Sequence, residues 1–120
     1  MNISIAVADV ALTPAELDPE QIVAGQPEVS SAVLHNAGWS ERGVWQITPG
    51  VVTDVEADEL FVVVSGRATV EVLDPSTGAV TGVLELAPGY AGVLAAGTHT
   101  RWTVHETLRK VYQVTVGWGG

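Results

Sequence analysis

Glu59-Leu60-Phe61-Val62-Val63-Val64-Ser65-Gly66 sets a carboxylate at the head of an unbroken apolar run and closes that run with a turn glycine. A valine-rich run this short, bounded by Ser-Gly, reads as a strand rather than a helix. Because every position from Leu60 to Val64 is apolar, both faces call for cover, one from a barrel interior and one from a second layer. That layer is either the N-terminal segment or another subunit, and the second choice implies a homodimer. Glu59 shares the parity of Phe61 and Val63, so its carboxylate is expected to point inward with them.

Outward from this run, punctuation is frequent: Pro49-Gly50, Ser65-Gly66, Asp74-Pro75-Ser76-Thr77-Gly78, Pro88-Gly89 and Gly97. Such spacing leaves room for strands and excludes long helices. Eight short antiparallel strands are predicted, at Val44 to Thr48, Val51 to Val55, Leu60 to Val64, Ala68 to Leu73, Val80 to Leu86, Ala91 to Leu94, Thr100 to Val104 and Val111 to Val116. The fold class is therefore all-β, a sandwich or barrel. The one helix signal is a short N-terminal turn at Thr13-Pro14-Ala15-Glu16, where Thr13 caps, Pro14 suits the first helical position and Glu16 completes a capping box. From Thr100 to His105 the pattern alternates, with Thr100, Trp102 and Val104 on the apolar side. His99 and His105 share the other parity and are expected to face away from the barrel.

The chain has 120 residues, room for a single domain over 1–120 with a barrel core of about 43–116 and an N-terminal extension over 1–42. A hydrophobic fraction of 47% with 16% charged residues supports a core of ordinary size. Fourteen acids against five Lys and Arg give a formal charge of −9, a field that repels phosphate backbones and anionic headgroups. Nucleic-acid and membrane roles are excluded on that ground, although Arg101, Arg109 and Lys110 fall close enough together to make a local basic spot. Without cysteine there are no disulfides and no thiolate chemistry or thiolate zinc sites. The N-terminus lacks a basic segment, Asp9 breaks its apolar run, and no run approaches membrane-spanning length, so a cytoplasmic protein is expected. No serine lies in a nucleophile elbow, and no glycine-rich loop precedes a helix.

From about Gly43 to Val114 the chain resembles the cupin superfamily, in particular single domains similar to that of (S)-ureidoglycine aminohydrolase. The likeness is carried by Gly43-Val44-Trp45, Thr48-Pro49-Gly50, Asp58-Glu59-Leu60-Phe61, Ser65-Gly66, Pro88-Gly89, Trp102-Thr103-Val104-His105-Glu106 and Leu108-Arg109-Lys110-Val111-Tyr112. It implies a cupin jelly roll, a double-stranded β-helix barrel, often dimeric. Metal-binding members of the superfamily hold their ion with two histidines and a glutamate from one motif and a third histidine from the other. Mapped from Glu59, the first two histidine positions fall at Thr53 and Val55, or at Val52 and Asp54; mapped from Gly89, the third falls at Thr100. Only Glu59 keeps a ligand type, so no cofactor is predicted.

Glu59 is thus the candidate catalytic residue or ligand anchor, with a structural ion pair to Lys110 or Arg109 as the alternative. Trp45 and Trp102 are candidate pocket walls, or plain core. Thr53 and Thr100 stand at former ligand positions, and Lys110 and Tyr112 join the pocket if their shared parity turns inward. The acid run Asp54, Glu56, Asp58, Glu59 reads as a solvated turn, and His35 as surface. Three functions are compatible with these residues. The first is a protein that binds a small polar metabolite in the barrel without a complete metal-ligand set. The second is a cupin hydrolase or isomerase, similar to the aminohydrolase, using a divalent transition metal held by Glu59 and His99. The third is a dimeric interaction module in which the doubly apolar strand and the tail Gly117-Trp118-Gly119-Gly120 serve assembly.

Overall fold

A computed structural model describes residues 2–115. The end of the last predicted strand at Val116 and the tail Gly117 to Gly120 lie outside the described residues. The chain forms one curled antiparallel sheet of nine strands with two single-turn 3-10 segments, consistent with a jelly-roll barrel. The strands are β1 (Thr13–Ala15), β2 (Ile22–Gly25), β3 (Val29–Asn36), β4 (Ser40–Ile47), β5 (Gly50–Val55), β6 (Glu59–Leu73), β7 (Val80–Leu86), β8 (Ala91–Leu94) and β9 (His99–Thr115). No helix among the described residues is long and apolar enough to cross a membrane.

Two long strands organise the sheet. β9 runs antiparallel to β6 over nearly its whole length, while its other edge is shared by β5 against residues 99–104 and β4 against residues 108–115. β7 and β8 then extend the far edge of β6, and β3 and β2 extend β4 and β5. Four of the predicted strands are therefore halves of two. Ser65-Gly66 is a bulge where the β6–β9 register shifts, not a turn that ends a strand. Gly66 has φ +85°, and a Cβ there would run into the backbone of Thr107 and Leu108, so this close crossing requires glycine.

The N-terminal prediction needs correcting. Thr13, Pro14 and Ala15 form β1 against Ser31, Ser30 and Val29, where cross-strand pairing overrides the local helix signal. The 3-10 turns are at Val7–Asp9 and Pro19–Gln21, and the capping box belongs to the second, with Asp18 as cap and Gln21 reaching back. Strands β1, β2 and β3 also lie in the segment for which no strand is predicted.

Inward positions from both halves of the sheet meet in a core that includes Ile47, Val52, Phe61, Val63, Val70, Leu94, Trp102, Val104 and Leu108. Thr100, Trp102 and Val104 are buried while His105 is exposed, as the alternation of that strand requires. β6 follows only half of its expectation. Phe61 and Val63 are each 1% exposed, but Leu60, Val62 and Val64 are 50%, 38% and 38% exposed on the outer face. The N-terminal segment does not cover them. It is tied over β9 instead, where Arg109 Nη1 donates to the carbonyls of Val7, Ala8 and Val10 at 2.8–3.2 Å and Nε donates to Gln46.

Candidate functional site

The pleat of β9 turns Leu108, Lys110, Tyr112 and Val114 to one face, and its neighbours set inward residues at the same levels. Glu41 and Glu59 flank Val114, Gly43 and Phe61 flank Tyr112, and Trp45 and Val63 flank Lys110. Opposite stands the first half of β9 with β5, where Val52 pairs with Trp102 and Asp54 with Thr100. These walls, with Leu17 and Gln21, bound a cavity of about 300 Å³.

At its base Lys110 Nζ lies 2.8 Å from Glu59 Oε2, and the two side chains are only 7% and 10% exposed. The same ammonium lies 4.6 Å from the ring centroid of Trp45, 4.5 Å from Phe61 and 5.0 Å from Trp102. Trp45 and Trp102 meet edge to face at 5.9 Å. A buried ammonium that has lost its water thus has one carboxylate and three π faces in compensation.

Above this pair, the Tyr112 ring lies across Gly43, where a Cβ would stand 2.6 Å from the phenol oxygen, and the hydroxyl donates to Glu41 Oε2 at 2.8 Å. Burial raises the Tyr112 pKa well above the usual phenol range, helped by the bond to Glu41 and the charges of Glu41 and Glu59. The hydroxyl therefore stays a donor throughout the physiological range. Asp54, at the rim, is also raised: burial is the largest cause, followed by the charge of Glu56, while the Val55 N–H and Lys110 act in the opposite direction. Gln21, positioned by the second 3-10 turn, donates to the Thr53 carbonyl at 3.0 Å and to Asp54 Oδ1 at 3.4 Å.

The acid run is only in part the solvated turn expected from sequence: Asp54 and Asp58 are exposed, whereas Glu56 and Glu59 turn inward. Reciprocal backbone bonds between Glu56 and the Gly97-Thr98 loop close the bend, and Glu56 becomes buried. Its Oε2 accepts from Thr100 Oγ1 at 2.6 Å and Trp102 Nε1 at 3.1 Å. Asp58 accepts from the Ala96 N–H at 2.8 Å, and Glu59 enters the cavity. Nor do the three clustered cations form a basic spot: Lys110 is internal, Arg109 holds the N-terminal segment and Arg101 pairs with Glu71 at 2.8 Å.

Of the residues singled out from sequence, Trp45, Thr53, Glu59, Trp102, Lys110 and Tyr112 line this cavity. Thr100 does not; it is fully buried behind the wall and anchors Glu56. His99 is paired across the sheet with Val55 and Leu73 and takes no part in the cavity. His105 is exposed and lies 2.9 Å from Thr69 Oγ1. Glu41, Glu56 and Gln21 were not legible as site residues. For Glu41 a usable signal exists, its parity with Gly43 and Trp45, once β4 is known to begin at Ser40.

The donor set does not fit a transition metal. The mapped positions Thr53, Val55 and Thr100 offer no imidazole, and the one retained ligand type, Glu59, is bound to an ammonium. Among the described residues no three His, Cys, Asp or Glu side chains are grouped to hold an ion.

Residues 34–112 match the family model of the EutQ-like cupin domain. Among solved structures, a Pseudomonas syringae pv. tomato protein of unknown function superposes with a TM-score of 0.75 at 27% identity over 89% of this chain, which spans 45% of that protein's length. The Clostridium difficile EutQ protein superposes with a TM-score of 0.69 at 15% identity, over 96% of this chain and 88% of that one. A Rhizobium leguminosarum protein of unknown function gives 0.65 at 18%, over 96% and 97% of the two chains. A comparison with curated proteins found no match.

Proposed function

The chain belongs to the EutQ-like cupin domain family, and on that premise we propose that it is a cytoplasmic protein that binds a small polar metabolite in its barrel without a metal centre. The observation that carries this reading is the Glu59–Lys110 pair at the foot of an aromatic-walled cavity. Its volume lies at the lower end of the usual range for small-molecule sites, and its mixture of apolar walls with a few directed polar groups is their usual make-up. Tyr112 contributes a hydroxyl, Lys110 a cation, and Glu41, Asp54, Glu56 and Glu59 contribute acceptors. Elemental analysis of untagged protein, combined with crystallographic density in the barrel, tests the reading. A bound organic molecule with substoichiometric metal supports it, whereas stoichiometric Mn, Fe, Ni or Zn would favour instead the metal-dependent hydrolase or isomerase similar to the ureidoglycine aminohydrolase.

The outer face of β6 and β8 supports a second reading, assembly as a homodimer. Leu60, Val62 and Val64 continue across the register into Ala91 and Val93, and Val93 is 75% exposed. Two copies that each carry a formal charge of −9 repel one another least where neither presents a charged side chain, and these five positions carry none. A second copy is therefore the occupant this face suits. Sedimentation of the parent and of Val62→Glu checks it: the expected result is a dimer that the substitution converts to monomer, and a parent monomer at micromolar concentration overturns it.

A further inference from the structure

The carboxylates around the cavity share one feature: each has a single oxygen engaged. Glu41 uses Oε2 for Tyr112, Asp54 uses Oδ1 for the Val55 N–H and Gln21, Glu56 uses Oε2 for Thr100 and Trp102, and Glu59 uses Oε2 for Lys110. No protein donor among the described residues reaches the second oxygen of any of them. Glu56 is more than nine-tenths buried and lines the cavity, and its free oxygen is not closed off from solvent: among the described residues Ser40 Oγ is the side-chain atom that is both buried and unpartnered. Four carboxylates also face one ammonium, leaving an excess of negative charge inside a protein that is already acidic. Burial is the main cause of the upward displacement of Asp54 and Tyr112, and the neighbouring carboxylates add to it.

A point cation is poorly served here, since the carboxylates are dispersed around the walls rather than grouped around one centre. An extended cation is well served. The cavity already shows how it treats an alkylammonium, because Lys110 is held by one carboxylate and three aromatic faces. We propose that the ligand is a compact organic cation carrying N–H donors at both ends, of the diamine or guanidino-amine type, received by the free oxygens of Glu41 and Glu56 against the Trp45 and Trp102 walls. The proposal rests on the reading of this cavity as a ligand site.

Calorimetric titration of the full chain with putrescine and agmatine tests it, with 1,4-butanediol as the neutral counterpart and glutarate as the anionic one. The two amines are expected to bind, more weakly as salt is raised, while butanediol and glutarate give no heat. Glu56→Gln keeps an acceptor for Thr100 and Trp102 and should weaken the amines about tenfold or more; Glu41→Gln, nearer the mouth, should do the same without touching the buried pair. If butanediol or glutarate binds and the amines do not, the cationic class is overturned and the cavity stands as a site. Silence from all four probes also overturns the cationic class, and density in the barrel then decides the site reading separately. Amine binding left unchanged by both glutamine variants overturns the assignment to this cavity.

Discussion

Removing the charge of Lys110 while keeping its bulk probes the centre of the site most directly. Lys110→Met leaves an unbranched apolar side chain among Trp45, Phe61 and Trp102 and leaves the Glu59 carboxylate, 2.8 Å from where the ammonium was, without its counter-charge. Both side chains are at least nine-tenths buried, so the pair is scarcely screened by water. Breaking such a pair from one side costs about 3–5 kcal/mol, most of it the desolvation of the stranded charge. For a domain of this size that corresponds to a fall in melting temperature on the order of 12–20 °C. Glu59→Gln strands the ammonium instead, but the rings and the amide oxygen still attend it, so about 2–4 kcal/mol is expected. The double variant strands neither charge and should lie within about 2 kcal/mol of the parent, giving a coupling energy of roughly 3 kcal/mol or more. Urea unfolding at neutral pH, followed by tryptophan fluorescence, measures all four corners of the cycle. Additivity of the two single effects to within about 0.5 kcal/mol would refute the claim that these groups balance each other.

The rim carboxylate gives a pH-dependent prediction. Because the folded-state pKa of Asp54 is raised above its ordinary value of 3.8, its contribution to stability is complete below that pH and is lost as pH rises through the folded pKa. Asp54→Asn removes this loss, so the stability difference, variant minus parent, should grow from pH 3 towards neutrality; a flat or falling difference in denaturation curves counts against it. Glycine substitutions separate local conformation from crowding. Gly66 and Gly78 have φ +85° and +75°, but only at Gly66 does a Cβ meet backbone, that of Thr107 and Leu108. Gly78→Ala should cost about 1 kcal/mol and Gly66→Ala roughly 3 kcal/mol or more, and equal costs in the same assay would show that the bulge yields freely.

The sequence made β5, β7, β8 and the inward parity of Thr100, Trp102 and Val104 legible because those features are local: short valine-rich runs and a period of two. Its failures are all non-local. Thr13-Pro14-Ala15 carries a good helix start, yet its backbone groups find partners in Val29 to Ser31, which no local window contains. Ser65-Gly66 has the composition of a turn, and only the crossing by Thr107 and Leu108 makes it a bulge within one strand. Glu56 sits in an acid-rich bend that any composition rule assigns to solvent. Its burial depends on Thr100 and Trp102, 44 and 46 residues away, whose side chains supply the donors.

The replacement of the metal ligands and the presence of Lys110 are best understood together. A barrel that keeps a buried carboxylate at Glu59 must place positive charge beside it, or the carboxylate is too costly to ionise. In the metal-binding arrangement the ion supplies that charge; here β9 supplies it through Lys110, whose level beside Trp45 and Val63 is fixed by the sheet register. The two solutions oppose each other on electrostatic grounds. A divalent ion held by the same carboxylate, within about 4 Å of Nζ, would meet a repulsion of roughly 8 kcal/mol at an effective dielectric of 20. That opposes a large part of the roughly 10–16 kcal/mol that complete ligand sets contribute for zinc, and Thr53, Val55 and Thr100 leave this set incomplete. Restoring imidazoles at those positions is therefore not expected to recover tight metal binding while Lys110 remains. Adding Lys110→Met to the restored histidines should raise the affinity for Mn or Zn by orders of magnitude, measured by competition with a chromophoric chelator. An affinity that is the same with and without Lys110 would show that the ammonium is not what closes this site to metal.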